Sequence, residues 1–352
     1  MNISEKLINK CLDGIISKKY LFSTVLQIES SDGSFTWKGS RGEMSSEDKY
    51  FIASVTKLYV TAVVLSLIEE KKIVLIDKIE KYLPQKYIEN LHVLNGIDYS
   101  NEVTIKHLLS NTSGLPDYFF YKEHGKSQAD SLFLGIDDSW DFERTIQYVK
   151  KIKPKFPPGK KGKVAYSDTN YLLLGKIIEN ITGKSICNIF KEYIFDKLNL
   201  KNTYVYSDIN DTKPIPFYYR EKRLWLPKYM TSIAAEGGIV STAEEVMIFI
   251  KSFFSGHLFP ERKIDELKIW NLILPPPGMF YFGIGLEKLP TPRIISLKKP
   301  INEIIGFWGQ TGSFAWYNPD TELYFTGTTN QGNGSGHNAI GNLILKIIKS
   351  FL

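Results

Sequence analysis

Eleven consecutive residues constrain this chain more than any others: Leu58 to Ile68, Leu-Tyr-Val-Thr-Ala-Val-Val-Leu-Ser-Leu-Ile, apolar on almost every side. A helix without a polar face is stable only inside a folded body, and this run is too short to cross a bilayer. The sequence therefore predicts a buried central helix with a large protein wrapped around it. At 352 residues the chain can bury such a core, as one large domain or two joined lobes.

The two ends resemble one another. Met1 to Tyr20 reads as an amphipathic helix, with Ile3, Leu7, Ile8, Cys11 and Ile15 at helical spacing. Phe22 to Glu29 is β-rich, Ser31-Asp32-Gly33 supplies a turn, and Ser34 to Lys38 continues as a partner strand. Toward the other terminus Ser313 to Tyr317 reads as a strand, Asn318-Pro319-Asp320 as a turn and Glu322 to Thr328 as a second strand. Ala339 to Phe351 closes the chain as a helix with Ile340, Leu343, Ile344, Ile347 and Ile348 on one face. Between the ends, Val103 to Leu109, Asp141 to Lys150 and Asn170 to Glu179 also read as helical, separated by loops rich in Pro, Gly and Asn. The expected fold class is α/β (α+β): a single domain of residues 1–352 with an antiparallel sheet flanked by the terminal helices. Its α/β lobe is expected from 1–56 with 265–352, and a mainly helical lobe, 57–264, is inserted between them.

Composition narrows the function. Lys and Arg number 44 against 38 Asp and Glu, a net +6 that does not by itself indicate a nucleic-acid binder. Met1 to Tyr20 has no apolar core of the kind a signal peptide carries, so the chain reads as soluble, and as cytoplasmic unless an export signal has been trimmed. Cys11 and Cys187 read as buried thiols, with neither metal nor redox spacing. The five histidines (His92, His107, His124, His257 and His337) show no metal spacing and no Gly-x-Ser-x-Gly partner, so neither a zinc enzyme nor a Ser-His-Asp hydrolase is expected, and no metal or other cofactor is indicated. The lysine-rich stretch Lys150 to Lys163 reads as a solvated loop, and Pro275-Pro276-Pro277-Gly278 as a rigid connection. Gly332 to Gly336 reads as a flexible loop without the strand-to-helix setting of a phosphate cradle.

Three short motifs carry the chemistry. Ser54-Val55-Thr56-Lys57 opens the apolar helix, and residues three apart on a helix share a face, which lays the lysine amine beside the serine hydroxyl. A hydroxyl is a weak nucleophile until a neighbour takes its proton, and a partly desolvated lysine can do so. Ser46 to Lys49 and Ser296 to Lys299 repeat the spacing, but in a charged loop and against Pro300. A capping serine with a solvated lysine is the bland alternative at Ser54. The second motif is Tyr166-Ser167-Asp168, in a loop forced by Pro157, Pro158 and Gly159, with Asp168 or Thr169 able to cap the helix from Asn170. Tyr166 can exchange a proton if nearby lysines lower its pKa; otherwise it is a surface tyrosine beside a cap. The third is Gln310-Thr311-Gly312-Ser313, at the entry to a strand whose edge is expected to offer free N–H groups. The amides of Ser313 and Ser54 together suit an oxyanion hole.

In this order the motifs resemble those of the class C β-lactamase and penicillin-binding-protein superfamily: Ser-x-x-Lys, Tyr-x-Asn, and Lys- or His-Thr-Gly. The resemblance runs from about Phe22 to Gln331. It includes Ile105 to Pro116 beside the family's "LLSHTSGL", Phe156 to Gly159 and Tyr166 to Gly175 beside "PG … YSNTNYxLLG", and Gly237 to Thr242 beside "GGLVST". It implies a β-lactamase/transpeptidase-like fold and a serine hydrolase acting on a small-molecule or peptide substrate without a cofactor. By position, Ser54 would be acylated, Lys57 would accept or hold its proton and Tyr166 would act as base or relay. Asp168 would bond to Lys57 and substrate, while Gln310, Thr311, Gly312 and Ser313 would line the strand side. Two positions depart from the pattern. Asp168 replaces Asn, which can keep Lys57 protonated and move the base role toward Tyr166. Gln310 replaces the Lys or His, removing a cation that would hold a substrate carboxylate. The readings compared are a peptidase or β-lactamase, an esterase or acyltransferase of the same fold, and a non-catalytic peptide- or peptidoglycan-binding homologue.

Overall fold

The computed structural model describes residues 5–274, 280–289 and 301–352. Strands β1 (Ser23–Ser30) and β2 (Thr36–Gly42) form the N-terminal hairpin. Short strands β3 (Tyr50–Phe51), β4 (Tyr204–Val205) and β5 (Ile239–Ser241) make a separate small sheet in the order β3-β5-β4. The C-terminal third adds β6 (Asn271–Leu274), β7 (Phe280–Phe282), β8 (Glu287–Lys288), β9 (Ile305–Trp308), β10 (Ser313–Asn318) and β11 (Leu323–Thr328). These six join the first hairpin in one eight-stranded antiparallel sheet, ordered β6-β7-β8-β9-β10-β11-β1-β2. The chain's two ends meet where β11 pairs with β1, Val25 opposite Thr328 and Ser30 opposite Leu323.

Strand periodicity divides the sheet's two faces. Leu26, Ile28, Phe314, Trp316, Leu323 and Phe325 point to one side, where helices α1 (Glu5–Ile16) and α6 (Ser335–Phe351) cover them with Ile8, Leu12, Ile340, Leu343, Ile344 and Ile347. Val25, Ala315 and Tyr324 point to the other side, into a larger core shared with helix α5 (Ala243–Phe254) through Phe249 and Ile250. Helix α2 (Thr56–Glu69) runs through that core with twelve consecutive residues, Thr56 to Leu67, buried, as its all-round apolar sequence requires. Helices α3 (Ile105–Leu109), capped by Thr104, and α4 (Asp168–Thr182) pack near it. The helix expected over Asp141 to Lys150 spans Phe142–Val149, with the Asp141 side chain accepting the Arg144 N–H at its N-cap.

Four expectations are corrected. Strand β10 is not an edge: the turn at Gly309–Gly312 folds β9 back along it while β11 covers the other side. The third helix begins at Asp168 rather than Asn170, with Ser167 and neither Asp168 nor Thr169 at the N-cap position, and the Ser167 hydroxyl bonds to the Pro116 carbonyl instead of capping. Gly332 to Gly336 does join a strand, β11, to a helix, α6, and it is held by the Gly332 N–H bonded to the Tyr218 carbonyl. Cys11 and Cys187 are unpaired but only half-buried. The Ser296 to Lys299 repeat, Pro275 to Gly278 and Ile3 lie outside the described residues. No helix among the described residues is long and apolar enough to cross a membrane.

Candidate active site

Ser54 sits in a tight turn, Ala53–Val55, between β3 and α2. Ala53 takes φ 45°, a left-handed conformation that a residue with a Cβ adopts only at a cost of about 1–3 kcal/mol, and such strain concentrates at functional sites. One helical turn later, Lys57 is fully buried. Its Nζ donates to Ser54 Oγ (2.9 Å), to the Glu236 carbonyl (2.7 Å) and to Asp168 Oδ1 (2.7 Å). Three acceptors thus surround Nζ, as many as a lysine ammonium has protons to donate. The rings of Tyr166 and Tyr171 lie 5.2 and 5.3 Å from the same nitrogen.

Tyr166 arrives from the loop before α4, and its placement depends on the Asn111 to Pro116 stretch. Asn111 Oδ1 accepts the Ser167 N–H and the Asn170 amide, while Ser167 and Thr169 both donate to the Pro116 carbonyl. Thus clamped, the Tyr166 oxygen lies 2.8 Å from Ser54 Oγ and donates to Asp168 Oδ1 at 3.1 Å. The expectation that lysines lower the Tyr166 pKa is reversed. The dry surroundings, with the Asp168 carboxylate next, hold the phenol well above its ordinary value; only the Ser54 hydroxyl among its leading neighbours pulls it down.

The third motif stands opposite. Thr311 Oγ1 donates to the Phe51 carbonyl (2.6 Å) and Ser313 Oγ to the Ile52 carbonyl (2.5 Å), tying the β9–β10 turn to the segment that delivers Ser54. Gln310 turns its amide to the Gly332 carbonyl (2.5 Å). Gln310 and Thr311 line the cavity, whereas Gly312 and Ser313 are not among its wall residues. Gly312 takes φ 82° against Thr329 and the Gln331 backbone, where a Cβ would collide. Gly312→Ala should lower stability by roughly 1–3 kcal/mol and activity with it; a thermal midpoint equal to wild type would show that the turn tolerates the change.

These groups surround one cavity of about 290 Å³. Its walls include Phe119, Phe120, Leu132, Phe133, Tyr229 and Met230 beside Ser54, Tyr166, Asp168, Glu236, Glu287 and His337. The acids Glu236 and Glu287 and His337 are absent from the motif reading. The available signal was an acid inside a run without other charges, Ile233-Ala234-Ala235-Glu236-Gly237-Gly238-Ile239-Val240; Glu287, next to Lys288, carries no such signal. Burial and then Asp168 push Glu236 well above the usual carboxylate range and Asp117 up to about 7. Burial lowers His337, whose Nε2 meets the Gly309 carbonyl at 2.9 Å. Among the described residues no group of three or more His, Cys, Asp and Glu is placed to hold a metal ion.

Glu287 gives a pH test. Burial pushes it up to about 8, against the Trp308 N–H it accepts at 2.8 Å and the Lys57 charge, both of which pull it down. A carboxyl raised from 4.5 binds more protons folded than unfolded, so its contribution to stability falls as pH rises from about 4.5 to about 8. Glu287→Gln, which keeps an acceptor for Trp308, should match wild type near pH 4 and exceed it by a few kcal/mol above pH 8. Thermal melts across that window decide it; a variant weaker than wild type at pH 8.5 would show the buried carboxyl to be stabilising.

A family profile described as Beta-lactamase matches residues 30–347. The chain is 31% identical over 300 residues to a putative D-alanyl-D-alanine carboxypeptidase of Escherichia coli (strain K12), covering 77% of this chain and 66% of that protein. It is 29% identical over 192 residues to an N-acetylmuramyl-L-alanine amidase of Bacillus subtilis (strain 168), covering 54% of this chain and 40% of that one. The chain thus spans less than two thirds of either relative. In fold it resembles the D-stereospecific amidohydrolase from Streptomyces sp., at a TM-score of 0.78 and 24% identity over 96% of this chain and 97% of that one. With its mixed fold, its one large antiparallel sheet and a family match over most of its length, the chain belongs to the Beta-lactamase family.

Proposed function

We propose that this protein is a serine hydrolase that cleaves an amide or ester through an acyl-enzyme on Ser54. The observation that carries the reading is the convergence of Lys57 Nζ (2.9 Å) and the Tyr166 oxygen (2.8 Å) on Ser54 Oγ, at the wall of a cavity. With Nζ bonded to Ser54 Oγ, Asp168 and the Glu236 carbonyl, Lys57 is assigned to steadying the developing alkoxide. The Ser54 proton passes to the Tyr166 oxygen while the phenol hands its own to Asp168, and no free phenolate is required. The Ser54 oxygen bonds to the substrate carbonyl carbon, and the returning proton leaves with the departing nitrogen or oxygen. Water repeats the sequence to release the acid. The Ser54 amide is the group assigned to the carbonyl oxygen, since Ser54 lines the cavity and Ser313 does not.

On the leaving side the reading favours a group without a carboxylate. Gln310 carries no charge, its amide is turned to Gly332, and the cavity walls contain no lysine or arginine among the described residues. An amidase or esterase fits this better than removal of a C-terminal residue. The fold likeness to a D-stereospecific amidohydrolase supports the same choice.

The test is intact mass after fluorophosphonate and turnover of a short-chain nitrophenyl ester. A single adduct at Ser54, absent in Ser54→Ala, is expected. Tyr166→Phe should lower turnover by about two orders of magnitude or more, as loss of a positioned proton carrier does. Near wild-type rates in that variant would remove the phenol from the relay.

A further inference from the structure

Glu287 is an acid on the cavity wall that the proton relay leaves unused. Strand β8 holds it opposite Gly306, and its Oε2 accepts the Trp308 N–H at 2.8 Å. The residue is 4% exposed and lines the cavity, and Oε1 has no hydrogen-bond partner among the described residues and is not fully enclosed. No ion pair reaches this carboxyl among the described residues, because Lys57 Nζ has its three acceptors elsewhere.

A buried carboxyl without an ion pair is held as the neutral acid. Burial pushes Glu287 up to about 8, against the pull of the Trp308 N–H and of Lys57. With Oε2 accepting from Trp308, the acid proton falls on Oε1, the atom open to the cavity. The titratable groups around it are Lys57 on α2, Tyr171 on α4 and Tyr166 before that helix, with Asp168, Glu236 and His337 elsewhere on the wall. Its neighbour Lys288 turns instead over Trp270 and Tyr281.

The position of Glu287 fixes which half of a substrate it meets. Trp308, Gly309 and Gln310 run along the same wall, and a Cβ added at Gly309 would come within 3.2 Å of Ala53 Cβ, beside the nucleophile. Glu287 is bonded to the start of this segment, on the side assigned to the leaving group, where Gln310 has turned its amide to Gly332.

Resting on the acyl-enzyme reading, we propose that Glu287 Oε1 donates a hydrogen bond to an uncharged carbonyl oxygen in the leaving half of the substrate. The substrate class is then esters or amides whose departing alcohol or amine carries a carbonyl, as in a hydroxy-acid amide or a residue with a blocked C-terminus. Glu287 sets specificity and stays outside the proton relay. Ionisation removes the donor, so the preference is present while the carboxyl holds its proton and is lost as pH rises through about 8.

The experiment compares the glycolamide and isobutyl esters of phenylacetic acid, which match in shape and differ in that carbonyl. Each kcat/KM is divided by the ester's own hydroxide-catalysed rate constant, so that leaving-group reactivity cancels. Wild type at pH 6.5 should favour the glycolamide ester by about tenfold, the size of one added hydrogen bond, and the ratio should fall toward one by pH 9.5. Glu287→Gln keeps its oxygen for Trp308 and an N–H toward the cavity, so its ratio should stay above one at both pH values. Glu287→Leu should show no preference at either. Should the leucine variant fold poorly, wild type and Glu287→Gln decide. A wild-type ratio flat with pH, a fall in Glu287→Gln parallel to wild type, or an undiminished ratio in folded Glu287→Leu would overturn the assignment. Fluorophosphonate labelling separates the two levels. A Ser54 adduct without the carbonyl preference removes only the Glu287 role. Absence of any adduct, with equal ester turnover in Ser54→Ala, removes the acyl-enzyme and this assignment with it.

Discussion

Ser54→Ala is expected to abolish the covalent adduct and to lower kcat/KM by roughly four orders of magnitude or more, with little change in stability. The size follows from what the side chain does. Removing a nucleophile leaves only the oxyanion donors and binding to act on attack by water, and in covalent serine enzymes that residue is small. Stability should hold because Ser54 is only half-buried and, with its two hydrogen bonds lost, Lys57 keeps its bonds to Asp168 and the Glu236 carbonyl and Tyr166 its bond to Asp168. Intact mass and thermal melting on the same sample give both numbers. Turnover within tenfold of wild type would place the chemistry elsewhere.

Lys57→Ala is expected to damage both activity and fold. Activity should drop by at least about two orders of magnitude, since the amine bonded to Ser54 Oγ is gone. The structural cost comes from Asp168, whose side chain is 12% exposed and would lose the amine bonded to it at 2.7 Å. Removing one member of a buried pair costs about 3–5 kcal/mol, mostly through the charge left behind. The double variant Lys57→Met with Asp168→Asn separates the two effects. Replacing both members should recover most of the stability and none of the activity. A single variant that melts with wild type would mean that the pair is not buried in solution.

Much of the site was legible because its spacing is local. Ser54 and Lys57 lie three apart on a helix start, and the apolar run behind them required a buried helix whatever surrounded it. Tyr166 and Asp168 are two apart, and their placement depends on a polar stretch, Asn111 to Pro116, that the motif reading had already marked. Strand alternation in Phe314, Ala315 and Trp316 was equally readable, since it concerns only neighbours. What escaped depended on distance. Glu236 meets Lys57 across 179 positions, and no local pattern marks a glutamate as the wall of a cavity. Strand β10 was read as an edge because its cover is a different strand on either side. The direction of the Tyr166 shift was misjudged because lysine abundance is visible in a sequence while desolvation is not.

The bonds from Thr311 to Phe51 and from Ser313 to Ile52 span 260 and 261 positions. A ribosome therefore releases Ser54, Lys57 and Tyr166 long before the residues that brace them exist. Until those strands are made and docked, the growing chain carries the Ser54 hydroxyl in a half-built crevice, and the proposed chemistry must wait for them.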